Sequence, residues 1–243
     1  MLDLSIDKAM FINPYEHRDE KRKVKSVTEI LSLINEPYIA NWANSLGFKR
    51  ISYSKELQRY ADIGTKVHGE IEDFLTNGTC LIPDKEYTIG FLSFLNWYKN
   101  TIIETQSCID VKLIEQAIMG KYFCGTLDAL MVIGGKLHVV DFKTSANISY
   151  KHFMQLSAYN YLLRRLDNPI IPDCLSILQV NKNNPRVYNL HTLDCVNDND
   201  KISTLFLAFL DVCKASYNVD LARETISRWF FVIYIFLTYI LYR

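Results

Sequence analysis

Residues Gly125–Ser145, GTLDALMVIGGKLHVVDFKTS, decide how the chain is read. Gly134 and Gly135 interrupt two runs of branched and apolar residues, a strong short-range signal for a β-hairpin. With these glycines as the loop, Ile133 lies opposite Lys136, Val132 opposite Leu137, Leu130 opposite Val139 and Asp128 opposite Asp141. A loop lengthened symmetrically keeps this pairing, whereas one extra residue offsets it by one. Directly opposed side chains in an antiparallel pair have Cβ atoms about 4.5–5.5 Å apart, and like charges so placed are destabilising. The hairpin therefore calls for positive charge between its two acids.

Leu130, Val132, Leu137 and Val139 share the face of the acids, while Leu127, Ala129, Met131, Ile133, Val140 and Phe142 form the other. Apolar residues on both faces predict a strand pair covered on both sides, where unpaired charge is costly. Lys143 lies two residues past Asp141 and so on the same face. One lysine cannot neutralise two carboxylates. Hard oxygen ligands with open positions suit Mg²⁺ or Mn²⁺, and a metal held by two acids beside a lysine is equipped to hydrolyse a phosphodiester. The bland alternative is a structural ion pair between Lys143 and Asp141 or Asp128, since such pairs also perturb acids.

The remaining elements follow from spacing. Ser26-x-x-Glu29 is a capping-box pattern opening a helix to about residue 34. Residues 55–75 carry Leu57, Tyr60, Ala61, Gly64, Val67, Ile71 and Phe74 at helical spacing, and residues 89–103 form a second apolar-striped helix. Strands are predicted at about 111–117, 122–133 and 136–143, a helix at 150–166, strands near 175–181 and 186–191, and a last helix at about 201–215. His68 stands one helical step from its apolar stripe, where a lone histidine is more often a satisfied core residue. Gln155 and Tyr159 share a helix face at i, i+4. Glu115, in the strand before the hairpin, is either a further carboxylate for the site or an ordinary surface acid.

The whole chain has 243 residues, 49% apolar, enough for a single core with a helical cap. Its formal charge is +0. A nucleic-acid binder would then rely on a local basic stripe. Candidates are Lys21-Arg22-Lys23-Lys25, Lys49-Arg50 and Arg164-Arg165, each of which is otherwise a solvated surface run. Six scattered cysteines include no C-x-x-C pair, so neither a zinc site nor a disulfide framework is implied. Asp3, Asp7, Glu16, Asp19 and Glu20 make the first 25 residues too acidic for a transit sequence. The expected compartment is a reducing cytoplasm, bacterial or phage-infected.

Taken together, Ser26-Val27-Thr28-Glu29-Ile30-Leu31, Trp42-Ala43, Gly64-Thr65-Lys66-Val67-His68, Gly125-Thr126-Leu127-Asp128 and Asp141-Phe142-Lys143-Thr144-Ser145, followed by Gln155 and Tyr159, resemble the PD-(D/E)XK nuclease superfamily in its RecB-type branch. Their order is similar to that in the mitochondrial genome maintenance exonuclease and its phage-encoded relatives, from about residue 25 to 181. The resemblance implies an α/β, restriction-endonuclease-like core, a mixed central sheet flanked by helices, with an N-terminal helical cap. It divides the chain into an N-terminal segment 1–25, a cap or arch 26–107, a nuclease core 108–220 and an apolar tail 221–243.

The same resemblance implies an exonuclease acting on single-stranded DNA ends under a helical arch, alongside replication or recombination proteins. Asp128, Asp141, Lys143 and His68 are then the catalytic group, with Asp128, Asp141, the Phe142 carbonyl and His68 holding Mg²⁺ or Mn²⁺. Gln155, Tyr159, Thr65 and Thr144 become substrate contacts, and Trp42, Tyr53 or Tyr60 stack bases or serve as plain core. No iron–sulfur cluster is implied, because the cysteine group of the cluster-bearing branches is missing. A site-specific endonuclease on the same core, or a non-catalytic DNA-binding accessory protein, are the alternatives. Trp229–Tyr242, WFFVIYIFLTYILY, falls short of the roughly 17 apolar residues that span a bilayer. A buried closing element, an oligomer interface, a peripheral membrane contact and a disrupted reading frame are all compatible with it.

Overall fold

The computed structural model describes residues 24–80, 82 and 85–241, with the side chains of Pro37 and of residues 228–241 outside the described set. In chain order the elements are β1 (Lys25–Ser26), α1 (Val27–Leu31), α2 (Pro37–Phe48), α3 (Tyr53–Asn77), α4 (Thr88–Thr105), β2 (Asp110–Met119), β3 (Phe123–Ile133), β4 (Lys136–Lys143), α5 (Tyr150–Leu163), β5 (Cys174–Val180), β6 (Tyr188–Asp194) and α6 (Asn199–Leu241).

The hairpin forms in the expected register. Ile133 pairs with Lys136, Val132 with Leu137 and Leu130 with Val139. Gly134 and Gly135 have φ of 56° and 80°, the two positive values a type I′ turn demands. From this hairpin a mixed sheet grows in both directions. β2 runs antiparallel along one edge of β3, while β4 pairs in parallel with β5, and β5 antiparallel with β6.

Helices cover both faces, as the mixed α/β reading requires. On one face α1, α5 and α6 pack Ile30, Leu156, Leu163, Phe206 and Phe209 against Phe123, Leu130, Val139 and Ile177. On the other, α3 and α4 pack Val67, Ile71, Phe91, Phe94 and Trp97 against Met131, Val140, Phe142 and Leu178. Each fully buried large side chain contributes about 1.5–3 kcal/mol, and the two layers together enclose β5 and the middle of β4, His138–Phe142.

Three features depart from the sequence reading. Leu127 packs with the α5 side of the core together with Leu130, not with Ala129 and Met131. The inward–outward alternation of β3 is therefore displaced at Asp128. β2 is displaced at the same level, since Leu113 and Ile118 both face the α5 side while Ile114 faces the other. Secondly, α2 was not anticipated, although Ile39, Trp42, Ala43 and Leu46 stand at i, i+3, i+4 and i+7 behind a proline in its first turn. Thirdly, the last helix does not stop near residue 215 but continues to Leu241, 43 residues in all. Among the described residues no helix is long and apolar enough to cross a membrane. The side chains of the apolar tail Trp229–Tyr242 lie outside the described residues.

Gly135 has open space around the position of a Cβ, so only backbone strain opposes a side chain there. Gly135→Ala is expected to destabilise the protein by about 1–2 kcal/mol. Gly69→Ala, inside α3 with equally open surroundings, is expected to stabilise it by about 0.5–1 kcal/mol. Denaturant unfolding of the two variants beside wild type checks both signs.

Candidate active site

The ladder between β3 and β4 ends at Ala129 and Val140. One residue further on, Asp128 and Asp141 do not pair. Oδ2 of Asp128 instead accepts the backbone N–H of Phe142 at 2.8 Å, taking the place of the missing ladder bond. β1 pairs in parallel with Phe123 and Cys124 of β3. Because β2 occupies the opposite edge through Cys124, β1 lies on the side that β4 has left. Residues 125–128 of β3 thus have no strand on that edge, and a cleft of about 510 Å³ opens there, lined by Ser26, Gly125, Asp128, Lys143, Gln155 and Tyr159 among others.

α5 closes one side of the cleft. Gln155 donates through Nε2 to Asp141 Oδ1 at 3.0 Å, and the same nitrogen lies 3.2 Å from the Tyr159 hydroxyl. The Tyr159 ring rests against Gly125, where an added Cβ would come within 2.5 Å of it. Burial pushes the Tyr159 hydroxyl above the ordinary phenol range, partly offset by Gln155 and reinforced by the charges of Asp141 and Asp128. It is accordingly a protonated hydrogen-bonding group.

α3 closes the other side. Gly64 sits against Thr144, with room for a Cβ only 3.3 Å from its hydroxyl. One turn later, His68 Nε2 meets the Phe142 carbonyl at 2.9 Å. A carbonyl can only accept, so Nε2 carries the proton and the lone pair of a neutral ring is on Nδ1. Nδ1 faces Asp128 Oδ2 at 3.6 Å. The Phe142 carbonyl keeps a second lone pair.

Glu115 enters from β2. Its φ is 43°, a left-handed value that is uncommon outside glycine. It falls between the pairs Ile114–Ala129 and Gln116–Leu127, level with Asp128. Donor atoms of His68, Glu115 and Asp128 all lie within 4.8 Å of one another. Partial burial raises the Glu115 carboxyl, with His68 pulling it down and Glu72 pushing it up.

Asp141 is not one of those three. It is 1% exposed, and burial pushes its carboxyl above the usual range, against the pull of Lys143 and with a further push from Asp128. Lys143 Nζ is 2.6 Å from its Oδ2, a buried ion pair. Burial lowers the Lys143 ammonium, but Asp141 and Asp128 outweigh this and leave it raised and charged.

The other anticipated contacts are distributed differently. Thr65 donates to the Ala61 carbonyl of its own helix at 3.1 Å and is not part of the cleft lining. Thr144 lines a neighbouring cleft. Of the basic runs, Lys21–Lys23 lie outside the described residues, and Lys25 is bound to Asp220 at 2.6 Å and to Ser216. Arg164 donates to Asn160 and Arg165 lies over the Tyr161 ring. His152 is an addition that the sequence reading passed over. Its Nδ1 accepts the Ser149 N–H at 3.2 Å in the capping box of α5, and the spacing Ser149-x-x-His152 was the available signal.

No family model matches the chain, and no curated protein matches it. Among solved structures, the alkaline exonuclease LHK-Exo of Laribacter hongkongensis is similar at 16% identity and a TM-score of 0.34, over 70% of this chain and 91% of that one. SSO0001 is similar at 14% identity and a TM-score of 0.33, over 81% of this chain and 79% of that one. Likenesses this loose decide neither fold nor activity, and the chemistry of the site has to be judged from its own geometry.

Burial, reinforced by Lys143 and opposed by Asp141, lowers the pKa of His152 to about 4 from 6.5. In the unfolded chain the ring takes up its proton at the ordinary value, so the unfolded state binds more protons between the two pKa values. The stability associated with neutral His152 is therefore fully present above pH 6.5 and is lost progressively as pH falls towards 4. Urea unfolding across this window is expected to show a shallower pH dependence in His152→Asn than in wild type. Equal slopes would remove the assignment.

Proposed function

We propose that this chain is a metal-dependent deoxyribonuclease that hydrolyses phosphodiester bonds from single-stranded DNA ends, in replication, recombination or repair. The observation that carries the reading is the buried Asp141 carboxylate, paired with Lys143 at 2.6 Å, in a sheet whose next strands bring Asp128 and Glu115 together with His68. One lysine leaves the acids gathered here short of positive charge, which an arriving cation would supply. The mostly oxygen donor set fits Mg²⁺, with Mn²⁺ as a substitute.

Asp128, Asp141, the Phe142 carbonyl and Nδ1 of His68 would hold the ion, with Glu115 as a further carboxylate. A bound divalent cation supplies Lewis acidity towards the phosphate and makes the attacking water more acidic. Lys143 orients that water and offers a fixed positive charge to the oxygen on which charge develops. His68, by donating to the Phe142 carbonyl, holds that oxygen and its own Nδ1 in place. Gln155 orients Asp141, and Tyr159 donates to a substrate phosphate oxygen from the wall of the cleft. Residues 108–220 would supply most of the catalytic core, completed by β1, α1, α3 and α4, and the rest of 26–107 would cover the entering strand.

The test is degradation of labelled linear single-stranded DNA, with closed circles and duplex alongside, in Mg²⁺ or EDTA. Wild type is expected to consume the linear strand only when Mg²⁺ is present. Asp141→Ala and Lys143→Ala are each expected to lose about 10²–10³-fold or more of that rate while keeping the fold by circular dichroism. An active, folded Asp141→Ala protein would overturn the assignment. Cleaved circles would make the protein an endonuclease, and binding without any cleavage would make it a DNA-binding protein.

A further inference from the structure

Next to the active site lies a second, smaller cleft of about 180 Å³, lined by Thr144, Gln179, Asn181, Lys182, Asn183 and Asn189 among others. It opens at the carboxyl ends of the parallel strands β4 and β5, where Lys143 is level with Gln179. Open α/β sheets bind their ligands at this end. Thr144 follows Lys143 directly, so one peptide unit separates the lining of this cleft from that lysine.

The floor of the cleft is fixed. Gln179 Nε2 donates to the carbonyls of Ser145 and Ala146 at 2.8 and 2.9 Å, and its Oε1 accepts from Asn189 at 3.3 Å. Asn181 Oδ1 accepts the N–H groups of Asn183 and Asn184, which sets the turn that carries Lys182. The lining includes no carboxylate, which argues against a cation as its occupant.

Lys182 is the cation of the cleft. Its Nζ stands 3.4 Å from the centre of the Tyr60 ring, and among the described residues no carboxylate lies within ion-pair distance of it. Partial burial and the neighbouring Arg59 both act against its charge, with Glu56 acting for it. An anion would relieve that. Behind it, Tyr60 packs on Trp42 and Trp42 on Tyr53 at 5.7 and 5.4 Å. A single-strand binding surface combines a cationic groove along the backbone with aromatic faces for bases; this cleft supplies the cation, and the aromatic group stands behind it, outside the lining.

We propose that this cleft holds the nucleotide next to the scissile phosphate, with Lys182 on its phosphate and the Gln179–Asn189 amide floor against its base or sugar. The proposal rests on the nuclease reading of the adjoining site and extends it to the path of the strand.

Fluorescence anisotropy of a short labelled oligodeoxythymidylate with the full chain, in EDTA and over a range of salt, tests it without cleavage. Lys182→Ala is expected to weaken binding about fivefold and to lower the slope of log K against log salt by about 0.7, the share of one phosphate contact on a single strand. Lys182→Arg is expected to restore both values. Asn183→Asp, which brings a negative charge into the same lining, is expected to weaken binding, and Mn²⁺ affinity by titration calorimetry is expected to match wild type in all three. Affinity and salt slope unchanged in Lys182→Ala would overturn the cleft alone. A wild-type protein that binds no oligonucleotide would overturn the nuclease reading together with it.

Discussion

Everything in the site depends on how one edge of β3 is shared. A strand offers a continuous row of backbone groups on each edge, and buried groups must find partners. β4 uses the edge from Ala129 onward and β1 uses it at Phe123 and Cys124. Between them no strand of the described residues lies on that edge, and the Asp128 carboxylate supplies the bond to Phe142 N–H that a continuing ladder would have supplied. A hydrogen bond to a charged acceptor contributes about 1.5–3 kcal/mol, enough to hold the strands apart at a defined angle. The fork is thus stabilised by one of the residues it exposes.

Two helices exploit the fork from opposite faces of the sheet. α5 reaches Asp141 through Gln155, and α3 reaches Phe142 and Asp128 through His68. Gly125 and Gly64 make those approaches by omitting a side chain where Tyr159 and Thr144 come closest. The charges sort by face in the same way. Asp141 is enclosed and paired with Lys143, whereas Asp128, His68 and Glu115 converge nearer to solvent. Lys143 balances only the enclosed acid, which leaves the group nearer to solvent with an excess of negative charge.

Much of this was legible in the residues, and the limits have physical causes. Gly134-Gly135 fixed the hairpin and its register because turn geometry is local. The opposition of Asp128 and Asp141 followed by counting, but their separation did not, since it depends on β1, a strand of two residues whose partner lies nearly a hundred positions away. The face of Leu127 was misjudged for a related reason. Period-two counting assumes an unbroken strand, and both β2 and β3 change face at the level of Glu115 and Asp128. α2 carried its helical spacing openly, yet only Leu46 of it is buried, so its apolar residues did not stand out as a stripe facing a core. His68 could not be told from a core histidine by its own surroundings in sequence, because its partners Phe142 and Asp128 come from strands far along the chain.

Glu115 joins these points. A non-glycine residue in the left-handed region costs on the order of 1–2 kcal/mol, and here it also brings a carboxylate to within 4.8 Å of a second one and of a histidine. Neither the strain nor the repulsion is compensated by a hydrogen bond of the Glu115 side chain among the described residues. The same geometry becomes favourable once a cation is present, because the repulsion is replaced by attraction and the binding free energy is added to the folded state alone. The left-handed turn in β2 and the fork between β3 and β4 are therefore two parts of one device. One brings an exposed acid beside Asp128 and His68, and the other frees the strand edge next to them.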